Sequence, residues 1–125
     1  MILALGIDSV EIERFELWNT YNQKKLMRFF SQSEITYCLS IPEKSAERFA
    51  VRFATKEALF KALCQSYPEQ RFYLHKVAKA CEVQKKTAAP RLLVDWQALN
   101  LPKLTALISL THTRQIASAA VILQK

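Results

Sequence analysis

The chain has 125 residues, a single glycine and a formal net charge of +7, and half of its residues are hydrophobic. That length supports one core and not two, and the composition is that of a folded domain rather than a disordered chain. With Gly6 alone, a P-loop and a GxGxxG dinucleotide turn are excluded, while the excess of cations calls for a polyanionic partner: nucleic acid, an acidic protein or a multiply phosphorylated small molecule.

The start, Met1 to Leu5, is apolar but too short for a signal-peptide core, and it soon meets Asp8 and Glu11. Ile2 to Val10 alternates as a strand, with Leu3, Leu5 and Ile7 on one face and Ala4, Gly6 and Asp8 on the other. Asp8 therefore falls near the strand's end, on a face kept bare by small residues. A strand glycine marks a bulge or a close approach to the backbone. Two readings of Asp8 stand at this point: a cap for the next helix, or a site residue.

Glu11 to Tyr21 reads as a helix with Ile12, Phe15 and Trp18 inward and Arg14 outward. Asn22 to Phe30 carries Lys24, Lys25 and Arg28, a basic patch beside Met27, Phe29 and Phe30. Ser31 and Glu34 form a capping box that opens a short helix through Leu39; Ser40 and Glu43 form a second, with Pro42 in the first turn, at the head of a long helix.

Arg48 to Leu63 is the centre of that long helix, free of Gly and Pro. Residues four apart share a line along a helix. Ala50, Ala54, Ala58 and Ala62 make a row of small side chains suited to lying against a sheet. Phe49 and Phe53 begin a second row that ends in Glu57 and Lys61, and Arg48, Arg52 and Lys56 make a basic third row. Glu57 and Lys61 are either an ordinary solvated pair or a metal-binding carboxylate beside a phosphate-binding cation.

The helix ends near Gln65 to Pro68. Tyr73 to Gln84 reads as a strand, Lys85 to Pro90 as a turn, Arg91 to Trp96 as a second strand, and Gln97 to Leu101 as a short link. Leu104 to Thr111 and Ile116 to Leu123 make a closing hairpin around Thr113, Arg114 and Gln115. Its last strand is apolar or small at nearly every position, the pattern of a strand covered on both faces, and a subunit interface is the expected cover. Cys38, Cys64 and Cys81 are odd in number and lack CxxC spacing, so they are expected to be reduced thiols in a cytoplasmic chain. His75 reads as surface without a role. No run approaches the roughly eighteen apolar residues of a membrane span.

Phosphate chemistry on a metal needs hard oxygen ligands, commonly one or two carboxylates completed by substrate phosphates. Asp8 and Glu57 are the best pair, and their mere proximity would argue for a cation between them. Lys61, one turn beyond Glu57, is placed to neutralise a leaving phosphate, with Arg52 and Lys56 available for more distant ones. Ser109 and Thr111 share one face of the closing strand and can donate to a ligand. His112 falls on the opposite face with Ile108 and Leu110, where a hydrogen-bonded core histidine is the simplest reading.

Three ordered stretches resemble one family. Gly6-Ile7-Asp8-Ser9-Val10-Glu11-Ile12-Glu13-Arg14-Phe15 is similar to the opening motif of the holo-(acyl-carrier-protein) synthases, the small 4′-phosphopantetheinyl transferases. Arg52-Phe53-Ala54-Thr55-Lys56-Glu57-Ala58-Leu59-Phe60-Lys61-Ala62-Leu63 is similar to their central motif, and Ser109-Leu110-Thr111-His112-Thr113 followed by Ala117 to Leu123 to their closing hairpin.

The resemblance implies an α+β fold in one domain over 1–125, an antiparallel β-sheet packed on one long central helix, assembled as a homotrimer with active sites at subunit interfaces. It implies transfer of 4′-phosphopantetheine from coenzyme A to a serine of apo acyl carrier protein, with release of adenosine 3′,5′-bisphosphate. By motif position, Asp8 and Glu57 would bind magnesium and Lys61 would contact phosphate. Arg52, Lys56, Ser109, Thr111 and His112 would line the coenzyme A site, and Arg14 with Lys24, Lys25 and Arg28 would meet the acidic carrier.

The chain departs from the family where Cys64-Gln65-Ser66-Tyr67-Pro68 replaces a glycine-rich turn after the central helix, and where Ala88-Ala89-Pro90 stands for Gly-Lys-Pro. The alternative reading is a basic anion- or nucleic-acid-binding module without catalysis. No helix-turn-helix or RNP-like aromatic motif supports nucleic acid as the partner.

Overall fold

A computed structural model of the chain describes residues 1–85 and 88–125. The order of elements is β1 (Ile2–Glu11), α1 (Gln23–Leu26), α2 (Gln32–Leu39), α3 (Ser45–Ser66), α4 (Leu74–Lys79), β2 (Cys81–Gln84), β3 (Arg91–Val94), β4 (Thr105–His112) and β5 (Ile116–Gln124). The strands form two antiparallel sheets: three strands in the order β1-β5-β4, and the pair β2-β3. The α+β architecture expected from the sequence is the one observed, with α3 as its axis.

Alternation decides which face of the large sheet meets α3. Ala4, Val10, Ala117, Ala119, Val121 and Leu123 are buried under the helix, as are Ala50, Ala54, Ala58 and Ala62 on the helix itself. Small residues on both sides let the two backbones come close. At Gly6 they leave no room for a side chain: a Cβ there would overlap the Ala58 carbonyl oxygen and stand 3.0 Å from the Ala62 amide nitrogen. The close approach that a strand glycine signals is thus made by α3. The outer face of the sheet carries Leu5, Ile7 and Leu107, each at least half exposed (57%, 63% and 50%).

Three local expectations change. Glu11 to Tyr21 forms two short 3₁₀ turns, Ile12–Phe15 and Trp18–Thr20, in place of an α-helix. Phe15, Trp18 and Tyr21 recur every third residue, and their tilted rings pack with centroids 4.5 and 5.7 Å apart, the eclipsed spacing that three residues per turn provides. Ser31 and Glu34 do make the capping box at α2, but Ser40 and Glu43 make none. Ser40 Oγ donates instead to the Tyr37 carbonyl oxygen at 2.8 Å, and α3 begins after a 3₁₀ turn at Pro42–Lys44 without a side-chain cap. Tyr73 to Gln84 is not one strand: its first half is α4, and only Cys81–Gln84 pairs, with Arg91–Val94.

The turn expected over Lys85 to Pro90 lies partly outside the described residues. Cys38 and Cys81 are buried and Cys64 is exposed, all three free. Among the described residues, no helix is long and apolar enough to cross a membrane.

Candidate active site

β1 and α3 bring Asp8 and Glu57 together. Asp8 points under the sheet and is only 9% exposed, because the strand's small face admits it where a larger side chain would meet the helix. The strand continues to Glu11 and no α-helix follows it, so Asp8 caps nothing. Lys61, one turn beyond Glu57, donates from Nζ to Asp8 Oδ1 at 2.8 Å and to the Ile7 carbonyl oxygen at 3.1 Å. The other Asp8 oxygen, Oδ2, is buried and has no hydrogen-bond partner among the described residues.

Glu57 responds to this neighbourhood. Its pKa is raised above the ordinary carboxylate range, first by burial, then by the Asp8 charge and by a hydrogen bond to Asp8, against the pull of Lys61 and Arg14. Two ionised carboxylates have no proton to share, so that bond exists only while Glu57 is protonated. Lys61 is raised as well, chiefly by its bond to Asp8. Two carboxylates this close repel, and a cation between them would relieve that repulsion.

A second cluster lies along the other end of α3. Arg48, Arg52, Lys44, Lys85, Thr111 and His112 line a cleft of about 290 Å³ between the first half of α3 and the end of β4. Tyr37 organises its arginines. Its ring lies 4.0 Å from the Arg48 guanidinium and 4.4 Å from that of Arg52, and its carbonyl oxygen accepts from Arg48 Nη1 at 2.8 Å. Buried Arg52 Nε has no partner among the described residues. Glu47 Oε1 stands 3.0 Å from His112 Nε2, and the other charges in the cleft are cationic. Such a cleft suits a phosphate, because guanidinium forks match its oxygens.

Of the residues that the sequence singled out for coenzyme A, Arg52, Thr111 and His112 meet in this cleft, while Lys61 stays with Asp8. His112 is exposed rather than the core histidine that its strand face suggested. Ser109 faces outward on β4, opposite Ala120. Lys56 is a correction. It is 1% exposed, and its ammonium donates to Glu34 Oε1 (2.8 Å), the Ala78 carbonyl (2.8 Å) and the Cys81 carbonyl (2.9 Å). All three of its protons are used, so it ties α2, α4 and β2 to α3 and has none left for a ligand.

Sequence reasoning missed Tyr37, Lys44 and Lys85 as lining residues; Arg48 had a signal, sharing the helical line of Arg52.

Arg14 is exposed, with its guanidinium 5.6 Å from the Phe15 ring and 5.9 Å from the Phe53 ring. Lys24, Lys25 and Arg28 are exposed on and just after α1. Among the described residues no group of three or more His, Cys, Asp or Glu is placed to hold a metal.

Residues 4–117 match the 4′-phosphopantetheinyl transferase superfamily. The chain is 41% identical over 129 residues to the holo-[acyl-carrier-protein] synthase of Treponema denticola, covering 99% of each. Among solved structures it is similar to the acyl carrier protein synthase of Mycobacterium tuberculosis (30% identity, TM-score 0.73, covering 99% of this chain and 98% of that one). It is also similar to the Helicobacter pylori holo-[acyl-carrier-protein] synthase in complex with coenzyme A (27% identity, TM-score 0.74, 96% and 99%).

Proposed function

The chain belongs to the 4′-phosphopantetheinyl transferase superfamily, and on that premise we propose that it moves the phosphopantetheine arm of coenzyme A onto a serine of apo acyl carrier protein. It is an enzyme, a phosphopantetheinyl transferase of the holo-[acyl-carrier-protein] synthase kind. The observation that carries the reading is the pairing of Asp8 and Glu57 across β1 and α3, with Lys61 on one Asp8 oxygen and the other buried without a donor.

Magnesium fits this pair. Two hard carboxylates, one with a buried oxygen that has no donor and the other with its pKa raised by burial and by its neighbour's charge, are what a divalent oxygen-seeking ion requires. Two protein ligands leave room for a diphosphate to complete the sphere. Asp8 and Glu57 would hold the ion, which when bound polarises the attacked phosphorus and offsets charge on the diphosphate.

The chain's own groups supply the rest. The serine Oγ–phosphorus bond forms while the bond from that phosphorus to the bridging oxygen breaks, and adenosine 3′,5′-bisphosphate leaves with that oxygen. The serine's proton needs an acceptor, and Glu57, one of the two carboxylates facing the reacting phosphorus in this reading, is the residue we assign to take it. Lys61, which is 55% exposed, can exchange Asp8 for the leaving phosphate. Arg52, Arg48, Thr111 and His112 bind the nucleotide's phosphate in their cleft, and Arg14 with Lys24, Lys25 and Arg28 receives the acidic carrier.

None of Asp8, Glu57 and Lys61 lines the Arg52 cleft of the same chain. A homotrimer that seats one protomer's cleft beside the next one's carboxylates would unite them, and the apolar outer face of β1 and β4 supports such an assembly. The test is the mass of apo carrier protein after incubation with the enzyme, coenzyme A and magnesium. A gain of one phosphopantetheine is expected. An unchanged mass overturns the reading and favours an anion-binding module.

A further inference from the structure

α4 has no role in that account, yet its polar face meets the cationic patch of α1. His75 and Lys79, both exposed, join Arg28 and Phe29 around a cleft of about 380 Å³. Lys79 and Arg28 also line a neighbouring cleft of about 550 Å³, with Lys24, Gln23 and the half-exposed Met27. No acidic residue lines either cleft, and none of these cations is paired with a carboxylate among the described residues. Unpaired cations held close together repel one another unless an anion meets them, so the arrangement points to a polyanionic partner.

The placement is fixed. Val77 and Ala78 of α4 are fully buried, and the Lys56 ammonium grips the Ala78 and Cys81 carbonyls on either side of Lys79. The surface is also continuous with the catalytic pair. Phe29 packs on Phe53 at 5.7 Å, Arg14 covers Phe53, and Glu57 is one turn further along α3.

We propose that α4 is the second cationic wall of the carrier-docking surface: Lys79 and His75 take acidic side chains of the carrier opposite Arg28 and Lys24, while Met27 and Phe29 seat its apolar contact. An acidic helical protein fits this surface better than nucleic acid, because an apolar foot of Met27 and Phe29 lies between the cations.

The inference rests on the transferase reading, and its test separates the two. Transfer is measured with apo carrier protein as the varied substrate at saturating coenzyme A and magnesium, for the wild type, Lys79→Glu and Lys79→Arg. Lys79→Glu is expected to raise the KM for carrier about tenfold and to flatten its dependence on salt. The kcat and the KM for coenzyme A should stay within about twofold, and Lys79→Arg should restore the wild-type KM. A Lys79→Glu variant with unchanged KM for carrier overturns the α4 surface alone, as does one that weakens only RNA binding. A wild type that leaves the carrier unmodified overturns both readings.

Discussion

Lys61 holds one oxygen of Asp8 at 2.8 Å and leaves the other buried without a donor. A buried carboxylate oxygen left unsatisfied costs about 1–3 kcal/mol, and the fold tolerates it at the place where Glu57 brings a second negative charge. Stability is given up there for a cation, and that trade makes Glu57 the residue whose removal separates stability from function.

Glu57→Gln should lower transfer about a hundredfold or more while stabilising the metal-free protein at neutral pH by about 1 kcal/mol or less, since the amide can donate to Asp8 without carrying charge. The sign with pH follows from the raised pKa. A carboxyl that holds its proton more tightly when folded stabilises the fold below the ordinary carboxylate range, and loses that contribution as pH rises through the raised pKa. The difference in thermal midpoint between Glu57→Gln and wild type should therefore grow with pH across that window. Magnesium should raise the wild-type midpoint and leave the variant's unchanged.

Lys56 should answer to stability and not to substrate. Lys56→Met leaves Glu34, 1% exposed, without its cation, a loss of about 3–5 kcal/mol. Urea unfolding should report it, and under conditions where the variant stays folded its KM for coenzyme A should match wild type. A raised KM in a fully folded variant would return Lys56 to the nucleotide site.

Gly6→Ala tests the contact between β1 and α3. The added methyl meets backbone, the Ala58 carbonyl and the Ala62 amide, rather than a side chain able to turn away. A destabilisation of about 3 kcal/mol is expected, with activity lost in parallel because Asp8 and Glu57 sit on the two elements pushed apart.

Thiol chemistry gives a check that needs no substrate. Burial pushes Cys38 and Cys81 up to about 12, so neither is a thiolate at neutral pH. Iodoacetamide on the native protein should add one label, at Cys64, and three after unfolding, counted by mass.

Much of this was legible in the sequence, for identifiable reasons. α3 and the β4–β5 hairpin announce themselves by long unbroken periods, and the row of alanines names the face that meets the sheet. α4 was hidden because its spacing of Leu74, Val77, Ala78 and Cys81 runs straight into the alternation of β2, so one stretch changes period without a Gly or Pro to mark the join. The turns after β1 follow from aromatic packing at every third residue, which reads as helix until the rings are placed. Lys56 could not be read from its helical line. Whether a cation in the row of Arg48 and Arg52 faces solvent depends on what α2 and α4 lay over it, and Glu34 showed only its capping role.

The central claim is that Asp8 and Glu57 share one divalent cation during transfer. Anomalous diffraction from crystals grown with coenzyme A and manganese, substituted for magnesium, tests it most directly. We expect a peak between the two carboxylates, in contact with the coenzyme A diphosphate; a bound diphosphate with the peak elsewhere, or with no peak, would contradict the account.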